Sequence, residues 1–126
     1  MSENKTDHEI LIDKILNSYL ETAIWSAGEQ PNGENLDTFT IYGFVPDSTK
    51  SAREDIESFY KLAAPLLTDA EKIPEDIGHN FSLDRNGHGA GFWDGDYKNG
   101  DALSKLCNPF GSVDIYAGDD GKLYFE

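Results

Sequence analysis

His79-Asn80-Phe81-Ser82-Leu83-Asp84-Arg85-Asn86-Gly87-His88-Gly89-Ala90-Gly91-Phe92-Trp93-Asp94 is the stretch on which the fold turns. Two short apolar runs, Asn80 to Leu83 and Ala90 to Trp93, flank an Asn-Gly pair that tolerates positive φ, which is the pattern of strand, tight turn and strand. From about Asp76 onward the chain keeps this texture, with short apolar runs between Gly, Asn and Asp clusters. Val113 to Ala117 and Leu123 to Phe125 read as two further strands, joined at Gly118-Asp119-Asp120-Gly121 by a hairpin turn. Between the second and third strands, Asp101 to Cys107 has helical spacing and a stop at Pro109 and Gly111. The region 79–126 is therefore expected to form a small antiparallel sheet interrupted by one short helix.

Upstream, the period changes. Thr6-Asp7-His8-Glu9 is a capping box, and Ile12, Ile15, Leu16, Tyr19, Leu20, Ala23 and Ile24 follow on one helical stripe with Asp13, Lys14, Asn17 and Glu21 opposite. The segment from Gly28 to Gly33 is rich in breakers and reads as a loop. Phe39 to Val45 reads as a short strand or an ordered packing segment ahead of Pro46. A second helix is expected from the capping box Ser51-Ala52-Arg53-Glu54, with Ala52, Ile56, Phe59, Tyr60, Ala63 and Leu67 on one face and Pro65 at its end. The expected class is α+β in a single domain spanning 1–126: two N-terminal helices within about 6–70 and a short third, packed on a small antiparallel sheet.

Charge bounds the function. Ten Lys and Arg stand against 24 Asp and Glu in 126 residues, a net charge of −14, and the acids are dispersed through both halves rather than gathered in a tail. Direct nucleic-acid binding needs clustered cations that are missing here, and an anionic membrane surface is disfavoured for the same reason. Plain solubility, halophile-like surface chemistry and attraction to a basic partner all fit such a charge. The single cysteine, Cys107, excludes an internal disulfide and a Cys-based zinc site, and its place on the apolar side of a short helix makes it a core residue. MSENKTDHE has no apolar signal core, and no stretch approaches the length of a membrane span, so a cytoplasmic setting is expected.

The residues quoted at the outset carry a resemblance. Together with Val113 to Tyr124 and Tyr19 to Ser26, the string Arg85-Asn86-Gly87-His88-Gly89-Ala90-Gly91-Phe92-Trp93-Asp94 resembles a group of small acidic proteins encoded by bacteriophages and prophages. Asp84, where those relatives tend to carry Thr, and the longer Tyr97-Lys98-Asn99-Gly100 segment depart from the usual form. The resemblance implies origin and setting, a bacterial host cell, rather than chemistry.

Two functional readings follow. In the first, the chain is a non-enzymatic accessory protein that binds a basic surface of a host or phage protein, as a DNA mimic or inhibitor, through acids drawn from Glu54, Asp55, Glu57, Asp94, Asp96, Asp119 and Asp120. No cofactor is expected, and the oligomeric state is open. In the second, it is a small metal-dependent or hydrolytic enzyme centred on Arg85, Asn86, His88 and Asp94, with Arg85 holding an anion, His88 acting as base and Asp94 orienting it. His79, Asp84, His88, Asp94 and Asp96 are the candidate metal ligands of that reading. Asp94 to Asp101 looks like a calcium loop but has lysine at its fifth position and its glycine one place late. No phosphate loop, dinucleotide fingerprint or nucleophile elbow is present. Aromatics at this frequency are expected mainly in the core, with Trp25, Trp93 and the tyrosines as the alternatives for an exposed recognition surface.

Overall fold

In the computed structural model of the chain, the described residues are 6–27, 39–87, 91–94 and 97–125. The capping box at the start forms as expected: the Glu9 amide donates to Thr6 Oγ1 and the Thr6 amide to Glu9 Oε1, each at 3.1 Å. Helix α1 follows over Asp7–Ala27 and buries Ile12, Ile15, Leu16, Tyr19, Leu20, Thr22 and Ala23.

Helix α2 spans Pro46–Ala63, so it begins more than a turn before the capping box expected at Ser51. Proline at the first helical position is already set at helical φ and has no amide to leave unsatisfied, and Asp47 favours the positive end of the helix dipole. Its face of Ala52, Ile56, Phe59, Tyr60 and Ala63 is buried as the spacing predicts. Pro65 ends it in a single 3-10 turn at Ala64–Leu66.

The main departure lies in the stretch that opens the sequence argument. Asn80 to Leu83 is not a strand, because helix α3 runs through it over Pro74–Arg85. Pro74 opens this helix, with Glu75 and Asp76 in its first turn and Arg85 in its last. Its buried face is Ile77, Gly78, Phe81, Ser82 and Arg85 with Leu83 beside it. Asn86-Gly87 is accordingly a helix terminus and not a hairpin turn: Gly87 has φ 67°, and its amide donates to the Asp84 carbonyl at 3.2 Å. Phe92–Asp94 forms a 3-10 turn in place of the expected strand, and Ala90 lies outside the described residues.

Helix α4 spans Gly100–Cys107 and is followed by a 3-10 turn at Asn108–Phe110. Only the last expected hairpin is formed, by β1 (Ile115–Ala117) and β2 (Leu123–Phe125), antiparallel with Tyr116 opposite Tyr124. In its turn the Gly121 amide donates to the Gly118 carbonyl at 3.0 Å, and Gly121 takes φ 78°. Phe39 to Val45 resolves into a 3-10 turn at Ile41–Gly43 and one parallel bridge, Phe44 to Leu123. The fold is thus helix-dominated α+β: four helices and a two-stranded ribbon among the described residues. The expected sheet over 79–126 shrinks to 115–125 because helix α3 occupies its first strand and a 3-10 turn takes up Phe92 and Trp93 of its second.

What holds these elements together is apolar packing. Tyr19, Phe59, Phe81 and Phe92 are fully buried, with Phe59 stacked on Phe81 at 4.4 Å between centroids and on Phe92 at 5.5 Å. Each such side chain contributes about 1.5–3 kcal/mol on burial. The half-exposed Arg53–Asp13 pair between α2 and α1 adds no more than about 1 kcal/mol. Helices α1 and α3 approach to backbone contact at Gly78. A Cβ built on Gly78 would lie 2.3 Å from the Ile15 carbonyl oxygen and 2.8 Å from the Tyr19 amide nitrogen, and Ser18 Oγ donates across the seam to the Glu75 carbonyl at 2.5 Å.

Replacing Gly78 by Ala must therefore push two helix backbones apart, and a loss of at least about 2 kcal/mol is expected in urea denaturation. Gly87→Ala meets no atom within 4 Å but strains a left-handed residue, and about 1–2 kcal/mol is expected there. Equal stability of the Gly78→Ala variant and the parent would refute this packing.

Candidate functional site

Arg85 ends α3 with its side chain 2 % exposed. A guanidinium presents five donors in a rigid fork, and burying it requires acceptors in matching directions. They come from three other parts of the chain. Nη1 donates to Asp55 Oδ2 of α2 at 2.9 Å and to the Tyr19 hydroxyl of α1 at 3.2 Å; Nε and Nη2 donate to the carbonyls of Gly111 and Phe110, each at 2.9 Å. The guanidinium carbon also lies 5.3 Å from the Phe81 ring centroid and 5.8 Å from that of Phe110. Burial raises the Tyr19 phenol above its ordinary range, with the nearby Arg85 charge offsetting part of the shift.

The expected anion-holding role of Arg85 is therefore overturned. Its charge faces Asp55, and four of its five donors are taken up by the fold around a side chain that is 2 % exposed. Asn86 is engaged in the same way, accepting from the Val113 amide and donating to the Ser82 carbonyl, each at 2.8 Å. The Asp84 carboxylate accepts from the Phe92 amide at 3.0 Å and from the Ser104 hydroxyl. Gly91 takes φ 148°, and a Cβ there would meet the Asp84 carboxylate at 2.6 Å, so its lack of a side chain is a packing requirement. His88, Asp96 and the side chain of Asp94 lie outside the described residues. His79 is brought to α1, where its Nδ1 sits 3.1 Å from Thr22 Oγ1 and its ring lies tilted against Trp25, with centroids 5.9 Å apart. Among the described residues no group of three His, Cys, Asp or Glu side chains is placed to hold a metal ion.

The acids of the binding reading separate into two kinds. Asp55 pairs with Arg85, Glu57 lies 3.7 Å from Arg53, and Asp120 accepts from the Tyr124 hydroxyl and the Lys122 amide, which lowers its carboxyl below the ordinary value. Glu54 and Asp119 are exposed. None of the described acids with a placed side chain is buried. Part of the acid excess has a local cause: each of the four helices carries acids in its first turn, Asp7 and Glu9, Asp47, Glu75 and Asp76, and Asp101, where the helix dipole favours them.

Cys107 is fully buried, as its helical position suggests, and burial pushes its thiol well above the ordinary range. The aromatics divide less simply. Most fill the core, yet Trp25 is 71 % exposed, Tyr42 88 % and Trp93 50 %. Trp25 and Tyr42 share a cleft of about 510 Å³ with Glu21, Ile24, Phe39 and Ile41. Trp93 lines another, of about 450 Å³, beside Lys98 and Lys105. Trp25 and Tyr42 both belong to the aromatics that the sequence offers for an exposed surface, although Tyr42 lies in a segment that reads as strand or packing. No helix among the described residues is long and apolar enough to cross a membrane. No protein-family model matches the chain, and neither a curated protein nor a solved structure was found similar to it.

Two measurements check this assignment. Arg85→Ala leaves Asp55, a phenol and two carbonyls without their donor. Because Asp55 is 34 % exposed, the expected loss is about 3 kcal/mol, the lower end for a broken buried pair, and Arg85→Lys should not restore it. A stable Arg85→Ala protein would return Arg85 to the list of functional groups. Cys107 should react with a disulfide reagent at neutral pH only as fast as the protein opens, and rapid labelling of the native chain would contradict its burial.

Proposed function

We propose that this chain is a non-enzymatic, phage-type accessory protein of the bacterial cytoplasm that docks on a basic surface of a host or phage protein. The observation that carries the reading is the placement of its charge. Ten cations can neutralise at most ten of 24 carboxylates, three of those cations, Arg53, Lys72 and Arg85, already lie against acids of the fold, and the described acids with placed side chains are exposed or partly exposed. A field of this sign accelerates encounter with a cationic partner and repels anionic ones. A protein groove built for nucleic acid is such a partner, so imitation of DNA phosphates, with inhibition as its consequence, is the form of docking that fits best. Glu54, Glu57, Asp119 and Asp120 are the described candidates for contact, whereas Asp55 acts through the fold. Arg85, the anion holder of the enzymatic reading, is in the core, which leaves that reading without its central group.

The test is a pull-down from a bacterial lysate with the tagged chain, at low and at high salt. Retained proteins should be basic and nucleic-acid-binding, and affinities measured on the purified complexes should fall by about tenfold or more when salt is raised from roughly 0.05 to 0.3 M. A retained set no more basic than the lysate, or binding indifferent to salt, would overturn the proposal.

A further inference from the structure

Two large rings on this acidic surface are built into one concave site. Trp25 lies on α1 one turn beyond Glu21, so the indole and the carboxylate share a helix face. The indole rests against the His79 ring, which Thr22 in turn holds. Across the cleft, the 3-10 turn at Ile41–Gly43 presents Tyr42, and the Tyr42 amide donates to Thr40 Oγ1 at 3.3 Å. Both rings thus stand on positioned backbone, yet they are the two most exposed aromatic side chains described.

The chemistry of the lining selects an occupant. An apolar group filling the cleft would strip water from Glu21 and offer it no partner. An anion would meet both that carboxylate and the charge of the whole chain, which is −14. A guanidinium satisfies each element: its flat face stacks on indole and phenol rings, and its forked donors fit a carboxylate. We propose that the Trp25–Tyr42 cleft receives an arginine side chain presented by the basic partner protein. The inference rests on the reading of that partner as basic and assigns the point at which one of its residues is held.

The full chain is titrated calorimetrically, at low salt, with an oligo-arginine peptide and an oligo-lysine peptide of equal length. The parent should bind the arginine peptide about fivefold more tightly. Trp25→Ala, Tyr42→Ala and Glu21→Gln should each weaken arginine-peptide binding by about threefold to tenfold and reduce the preference over lysine. Asp114→Asn, at an exposed acid that does not line the cleft, should leave the preference unchanged. Circular dichroism and thermal melting should be unaltered, because the replaced groups are exposed. Binding of neither peptide would remove the basic-partner reading and this one together. Equal binding of both peptides, insensitive to Trp25→Ala, would overturn the cleft while leaving general electrostatic docking in place. A dimer of the parent that Trp25→Ala abolishes would assign the cleft to a second copy of the chain and overturn the proposal.

Discussion

A single buried cation sets the constraints that the rest of this structure obeys. Removing a guanidinium from water costs several kcal/mol unless its donors are met, and the acceptors that meet those of Arg85 lie on α1, on α2 and in the segment after α4. Net stability comes mainly from the aromatic and aliphatic core around Phe59, Phe81 and Phe92. The cation contributes direction: an apolar core tolerates sliding, whereas a fork of donors accepts one arrangement of its partners. Asn86 extends the same control by holding the Val113 amide, which pins the segment leading into β1 beside the C-terminal end of α3.

The consequence for function is a division of labour among charges. Acids that the helices need stand at their first turns, and Asp55 is drawn toward the core by Arg85. The other described acids with placed side chains are exposed or partly exposed, and the chain as a whole has too few cations to neutralise its acids. Long-range attraction from such an excess has little geometric selectivity, because exposed charges are screened over about 10 Å at ordinary salt. Selectivity has to come from short-range features, and the exposed rings of Trp25 and Tyr42 beside Glu21 are features of that kind.

Much was legible along the chain because it depends on neighbours in sequence. The Thr6–Glu9 box, the stripe from Ile12 to Ala23, the buried face of α2, the place of Cys107 and the Gly118–Gly121 turn each rest on spacing or on local backbone chemistry, and all are realised. The start of α2 was misplaced at Ser51 because a capping box is a sufficient signal but not a necessary one; Pro46 serves without any side-chain cap.

The character of 80–86 was decided by tertiary structure alone. Phe81-Ser82-Leu83 alternates apolar and polar residues as a strand does, and the competing helical face consists of Ile77, Gly78, Phe81, Ser82 and Arg85, three of which are not apolar. Gly78 counts as an interior residue only because α1 passes within backbone contact of it, and Arg85 only because Tyr19, Asp55, Phe110 and Gly111 converge on it. Composition fixes the sign of the surface, and local spacing fixes the first two helices. Whether an arginine and its asparagine neighbour face a ligand or the core depends on acceptors up to 66 residues away, and no local pattern encodes their convergence.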